Sequence, residues 1–215
     1  MIEEVGLEEN AKKLLLHACC APCSLEPVRL LREEGFEITV CWFNPNIQPI
    51  DEHTRRLGEL RAWCAACGLP LVELPDDRAS WERGPARLGA RNREGRCRAC
   101  YALRLAAVVD YAATHGFERV ATTLAVSPYQ LFDVCNDVLA LLCARAGPTP
   151  VIRDFRPWYL EATRRSREMG MYRQNYCGCR FSAAEAAMDR ARQRDERARA
   201  KRAAREDDAH AAALQ

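Results

Sequence analysis

Lys13-Leu14-Leu15-Leu16-His17-Ala18-Cys19-Cys20-Ala21-Pro22-Cys23-Ser24 is the stretch on which the fold turns. Its apolar run is short and ends on cysteines, so Lys13–Cys19 reads as a buried strand. Ser24 is expected to cap a helix reaching about Glu34, with Gly35 as its stop. Working outward, Phe36–Phe43 reads as a second strand, followed by the turn Asn44-Pro45-Asn46-Ile47-Gln48-Pro49. A helix from about Asp51 to Cys67 and a short strand at Leu69–Leu74 come next. A long helix is predicted from Cys97 to about His115, then a strand at Glu118–Thr122 and a loop at Thr123–Gln130. A helix ending near Gly147 and a strand at Val151–Phe155 complete the alternation, while 76–96 and 156–180 show no clear pattern. Strands alternating with helices predict an α/β fold, a Rossmann-like parallel sheet flanked by helices.

After Phe181, Ser182 is expected to cap an Ala-, Arg- and Glu-rich helix running towards Asp208. The predicted layout is an acidic segment at 1–11, an α/β domain at 12–181 and a charged helical tail at 182–215, frayed at its end.

The chain has 215 residues, 48% of them hydrophobic, enough for one buried core. No apolar stretch approaches the ~18 residues of a membrane span, and the acidic start lacks the basic and apolar parts of a signal peptide. The twelve cysteines are therefore expected in a reducing, cytoplasmic setting, where metal ligation or transient redox chemistry outranks a disulfide framework. The net charge of +2 hides an asymmetry. Residues 1–52 hold four Lys/Arg against ten Asp/Glu, whereas 78–104 hold eight Arg against two acids and 153–180 seven against three. Both basic segments carry cysteine pairs, which suits a phosphate-bearing substrate such as a nucleic acid.

In an open α/β sheet ligands gather beyond the carboxyl ends of the strands, where Cys19, Cys20 and Cys23 fall. Cys97 and Cys100 have C-x-x-C spacing, so two thiolates from each place would make a four-thiolate site for Zn²⁺ or an iron–sulfur cluster. A structural zinc site closes on four ligands, so the spare Cys23 tilts the reading towards iron. Cys177-Gly178-Cys179 could close a strained, readily reduced small-ring disulfide. Cys41, Cys135 and Cys143 read as small buried hydrophobes, as does His17 as a satisfied core residue. Cys64 and Cys67 have ligand-like spacing but end an amphipathic helix. Asn44, Asn46, Tyr129, Gln130, Arg173, Gln174, Asn175 and Tyr176 are the polar side chains expected to meet a substrate.

Five segments, His17–Cys23, Phe43–Ile47, Cys97–Tyr101, Thr122–Gln130 and Tyr172–Cys179, together resemble the QueH family of epoxyqueuosine reductases, over about residues 12–182. The resemblance implies a HUP-like domain that reduces the epoxide of epoxyqueuosine in a tRNA anticodon to queuosine. It implies a [4Fe–4S] cluster on Cys19, Cys20, Cys97 and Cys100, a redox-active pair at Cys177 and Cys179, and a separate iron near Cys23. Tyr129 is the expected proton donor, the Arg-rich segments the phosphate contacts, and the electron donor an unidentified partner. A zinc-stabilised RNA-binding protein without catalysis is the alternative from another class. An adenylating or thiolating enzyme is disfavoured because Cys19–Ser24 lacks a Ser-Gly-Gly phosphate cradle.

Overall fold

The computed structural model of the chain describes residues 12–213, with side chains as far as 204; the expected acidic segment 1–11 lies outside the described residues. In chain order the elements are β1 (Lys12–His17), α1 (Ala21–Glu33), β2 (Phe36–Trp42), α2 (Ile50–Ala66), β3 (Leu71–Glu73), α3 (Arg78–Arg83), α4 (Arg93–Thr114), β4 (Arg119–Thr122), α5 (Phe132–Ala146), β5 (Thr149–Pro150), α6 (Tyr159–Glu168) and α7 (Arg180–Ala213). All neighbouring strands are parallel, in the order β3-β2-β1-β4-β5. The predicted α/β sheet is thus present, with a helical carboxyl-terminal extension.

Period-two alternation decides which helices cover which face. Leu14, Leu16, Ile38, Val40 and Trp42 pack with Leu25, Val28 and Leu31 of α1 and Leu57, Leu60 and Trp63 of α2. Leu15, Cys41 and Val120 point the other way, against Leu105, Val108 and Val109 of α4 and Cys135, Leu139 and Cys143 of α5. Cys41, Cys135 and Cys143 are fully buried in that layer, as expected of small apolar side chains. Both faces of β1 are covered, which is why its sequence is a continuous apolar run rather than an alternating one.

Four boundaries differ from the sequence reading, one of them at the last helix, which begins at Arg180 so that Ser182 lies inside its first turn rather than capping it. The first helix begins at Ala21, not after Ser24: Cys20 is the extended N-cap residue and Pro22 lies in the first turn, where its missing N–H costs nothing. Ser24 instead donates its hydroxyl to the Cys20 carbonyl at 2.9 Å. The long helix α4 begins at Arg93 rather than Cys97, because Asn92 caps it by accepting from the Gly95 N–H at 3.0 Å. The last strand is Thr149–Pro150, not Val151–Phe155. Val151 still donates to the Val120 carbonyl at 2.8 Å, but Asp154 then turns the chain by accepting from the Arg156 N–H. Gly35, at φ 84°, occupies the left-handed conformation that lets the chain leave α1 for β2.

The chain separates into two units, Met1–Arg173 and Gln174–Gln215. Among the described residues no helix is long and apolar enough to cross a membrane.

Candidate active site

The chain leaves β1 towards β2 and β3, then returns to place β4 on the other side of β1. The reversal point therefore lies between the carboxyl ends of β1 and β4, where an open sheet forms a crevice. His17 closes the floor of this region. Its Nε2 faces the Phe43 carbonyl at 3.3 Å and must carry the proton, because a carbonyl can only accept. Its Nδ1 accepts from the Thr122 hydroxyl at 2.9 Å, and that hydroxyl accepts in turn from the Leu124 N–H. Complete burial, helped by the Arg104 charge, pushes the His17 pKa down to about 3. His17 is thus a neutral core residue binding the ends of β1, β2 and β4 together, as its position in the strand predicted.

Directly above it, Cys19, Cys20 and Cys23 bring three sulfur atoms within 4.8 Å of one another. Local chain geometry explains this. Cys20 is the N-cap of α1 and Cys23 the third helical residue, the spacing at which a capping pair meets. Cys19 precedes the cap and its sulfur lies 3.9 Å from that of Cys20. Thr123, fully buried at the end of β4, accepts from the Cys19 N–H at 3.0 Å and donates its hydroxyl to Cys19 Sγ at 3.4 Å. Hydrogen bonds from the Cys20 and Cys23 thiols and from Thr123, with the Arg104 charge, hold the Cys19 thiol well below its ordinary range against the opposing effect of burial. Cys23 moves the other way, chiefly because it donates to Cys19 and Cys20. The amino end of α1 adds a positive dipole end beside the same sulfurs. One thiolate supported by two thiols is a trio ready to lose further protons to a metal.

Cys97 and Cys100 lie within α4, seven and four residues before Arg104 and so on the same helix face. Arg104, only 1% exposed, donates to Asn44 Oδ1, and Asn44 Nδ2 donates to the Ala18 carbonyl at 2.9 Å. This buried bridge ties the cysteine-bearing face of α4 to the residue just before Cys19. Cys19 and Cys97 also pack against one shared layer of buried side chains. The sulfurs drawn within 4.8 Å of one another are those of Cys19, Cys20 and Cys23, and soft thiolates of this kind suit an iron–sulfur cluster or zinc by the same donor chemistry.

The other expected site residues take distinct positions. Asn44 is only 1% exposed and is committed to the bridge just described. Asn46 is equally buried, and its Oδ1 accepts no hydrogen bond among the described residues. Gln130 accepts from the Tyr101 hydroxyl at 2.8 Å, which also accepts from the Leu131 N–H. Tyr129 is 68% exposed, its ring edge-on to Tyr159 and its carbonyl accepting from Arg93. Arg173 donates to Thr163. Cys64 is buried in the core, where burial pushes its thiol up to about 12, while Cys67 is exposed, so this pair divides between core and surface. Arg104 and Thr123 escaped the sequence reading. Nothing local marks them; their partners lie 60 and 104 residues away.

Gln174, Asn175, Tyr176, Cys177 and Cys179 belong to the second unit, ahead of α7. Gly178 has φ 152°, a conformation that other residues at the centre of a C-x-C turn would adopt only with strain. Cys179 Sγ accepts from the Ser182 N–H at 3.4 Å and donates to the Ser182 hydroxyl at 3.5 Å, and that hydroxyl donates to the Cys179 carbonyl at 2.8 Å.

Residues 14–185 match the family model described as epoxyqueuosine reductase QueH. A Dehalococcoides mccartyi protein named epoxyqueuosine reductase QueH is 35% identical over 176 residues, covering 81% of this chain and 94% of the relative. The Haemophilus influenzae protein of that name is 30% identical over 189 residues, covering 84% and 75%. A solved Methanocaldococcus jannaschii structure, described as a predicted subunit of tRNA methyltransferase, superposes with a TM-score of 0.50 at 10% identity over 73% of this chain and 74% of that one. This last likeness concerns the fold alone.

Proposed function

The chain belongs to the epoxyqueuosine reductase QueH family, and on that premise we propose that it reduces the epoxide of epoxyqueuosine in a tRNA anticodon to the cyclopentene of queuosine. Both ring C–O bonds break, two electrons and two protons are taken up, and the oxygen leaves as water. The observation that carries the reading is the trio of sulfurs within 4.8 Å at the reversal point of the sheet, in a chain that matches the family from 14 to 185.

In this reading Cys19, Cys20, Cys97 and Cys100 would hold a [4Fe–4S] cluster and Cys23 would serve as a ligand to a separate iron. When bound, these centres supply single electrons and a Lewis acid for the epoxide oxygen. The chain's own residues do the rest. Thr123 and Arg104 stabilise negative charge at Cys19, which favours the thiolate of that ligand. His17, neutral and buried, keeps the floor of the site apolar and fixed. Tyr129 presents an exposed phenol as the proton donor to the departing oxygen. The thiols of Cys177 and Cys179 store electrons between transfers and close a small-ring disulfide when oxidised. Asn44, Asn46, Gln130, Arg173, Gln174, Asn175 and Tyr176 form the substrate-facing set; Asn46 Oδ1 offers an acceptor and Asn44 orients its loop. Residues 12–181 form the reductase domain and 182–215 the tail. The partner is a tRNA in the cytoplasm, and electrons enter from a separate donor.

The test is anaerobic purification followed by conversion of epoxyqueuosine-containing tRNA, read by nucleoside mass spectrometry. A brown protein with iron and acid-labile sulfide that yields queuosine is the expected result. A colourless zinc protein that binds tRNA and converts nothing would replace the reductase with a zinc-stabilised RNA-binding protein.

A further inference from the structure

Helix α7 runs from Arg180 to Ala213, beyond the residues matched to the family, which end at 185. Between 190 and 205 the sequence carries eight basic residues and two acids. From Ala187 to Ala204 every residue except Ala191 is exposed.

Its charges are sorted by face. Arg190, Arg194, Arg197 and Lys201 recur at intervals of four, three and four, which puts them on one stripe. At ~1.5 Å rise per residue the stripe is about 16 Å long. Asp189, Asp195 and Glu196 fall at least about 100° away from its centre, at about 100° per residue. Arg192, on the far side, absorbs two of those carboxylates, at 3.0 Å from Asp189 and 3.9 Å from Glu196. Among the described residues no carboxylate pairs with Arg194, Arg197 or Lys201, and Arg190 donates only to the Asn175 carbonyl at 3.3 Å. Over residues 189–204, ahead of Glu206, Asp207 and Asp208, the acids thus lie to one side of the helix and leave the other as a row of cations.

We propose that this stripe is an RNA-binding surface that grips the phosphate backbone of the tRNA substrate irrespective of sequence. The inference rests on the tRNA-modifying reading given above. A polyanion is the ligand that a linear row of guanidinium and ammonium groups fits. An anionic membrane is disfavoured because the opposite face holds Arg192, Glu196, Arg199 and alanines, with Met188 its one exposed large apolar side chain among the described residues, too little to anchor a helix in a bilayer.

The test uses the full chain and an unmodified tRNA transcript, with binding followed by anisotropy from about 50 to 200 mM salt. The variant R190Q/R194Q/R197Q/K201Q keeps helix-forming side chains and removes four charges. Each phosphate contact contributes about 0.7–0.9 to the slope of log affinity against log salt. The variant should therefore lose about 3 from the slope and bind at least about tenfold more weakly at the lower salt. R192Q/R199Q, on the paired side, should shift the slope by less than about one. If the four-fold variant is helical, reduces tRNA and binds it with wild-type slope and affinity, the stripe is refuted while the reductase reading stands. Weaker binding to anionic vesicles with unchanged tRNA binding refutes it equally. A wild-type protein whose tRNA affinity depends on the stripe but which converts no epoxyqueuosine upholds the stripe and removes the reductase reading.

Discussion

Replacing Thr123 by valine should raise the pKa of a thiol on a different part of the chain. Thr123 Oγ1 lies 3.4 Å from Cys19 Sγ and 3.0 Å from the Cys19 N–H, from a position 104 residues away. Valine keeps the shape and loses both bonds. A hydrogen bond to an ionised group contributes ~1.5–3 kcal/mol, equivalent to about 1–2 pKa units. Cys20, Cys23 and Arg104 also stabilise the thiolate, so the share of Thr123 falls at the low end, about one unit. The unpaired N–H of Cys19 should also cost ~1–3 kcal/mol of stability. Alkylation of the metal-free protein under anaerobic conditions, across about pH 5–9, with peptide mass spectrometry at Cys19, reads the change directly. Below the wild-type pKa the rate at Cys19 should drop about tenfold in T123V, while T123S, which keeps the hydroxyl, should follow the wild type. Superimposable profiles for folded T123V and wild type would show that Thr123 does not hold the thiolate, and the reasoning would fail.

His17 gives a pH dependence. It is neutral when folded, with its pKa pushed down to about 3, and titrates near 6.5 when unfolded. The unfolded chain therefore binds more protons below about pH 6.5, and stability, whole above that pH, falls by roughly 1 kcal/mol per unit towards about pH 3. Urea unfolding of the metal-free protein at descending pH should show a shallower fall for H17Q, and equal slopes would contradict the assignment. Glu26, fully buried in α1, pairs with Arg29 and with Arg165 of α6. E26Q should cost ~2 kcal/mol, below the usual value for a buried pair because both arginines are partly exposed. It should also speed hydrogen exchange across Tyr159–Glu168; unchanged exchange there would mean that the pair does not hold α6. Serine at Cys19, Cys20, Cys97 or Cys100 should abolish most bound iron, whereas C41A and C143A should retain it and cost ~1 kcal/mol by lost packing. C177S should keep the cluster absorbance and lower turnover; loss of absorbance would make Cys177 a ligand.

Much of the fold could be read from local pattern. The apolar run at Leu14–Leu16, the alternation through Phe36–Trp42 and the helix stops at Gly35 and Gly147 mark elements by the period of their own side chains. Boundaries failed where one residue served two purposes. Pro22 reads as a loop residue but sits comfortably in a first helical turn, and Asn92 caps a helix from within an Arg-rich stretch that hides it. Cys41 and Cys64 could be assigned to the core or its edge because their neighbours repeat with the surrounding strand or helix.

What the sequence determined by itself is the local chemistry: which residues are sulfur donors, the spacing that lets Cys20 meet Cys23 across one helical turn, and the charge sorting along α7. Only the tertiary structure decided that β4 lies beside β1, and so that Thr123 reaches Cys19 and Arg104 reaches Ala18 through Asn44. The division has a physical cause. Spacing along a helix or strand is set by the backbone period of a few residues, whereas strand order and buried polar bridges depend on which distant surfaces pack together, and that information is spread over the whole chain.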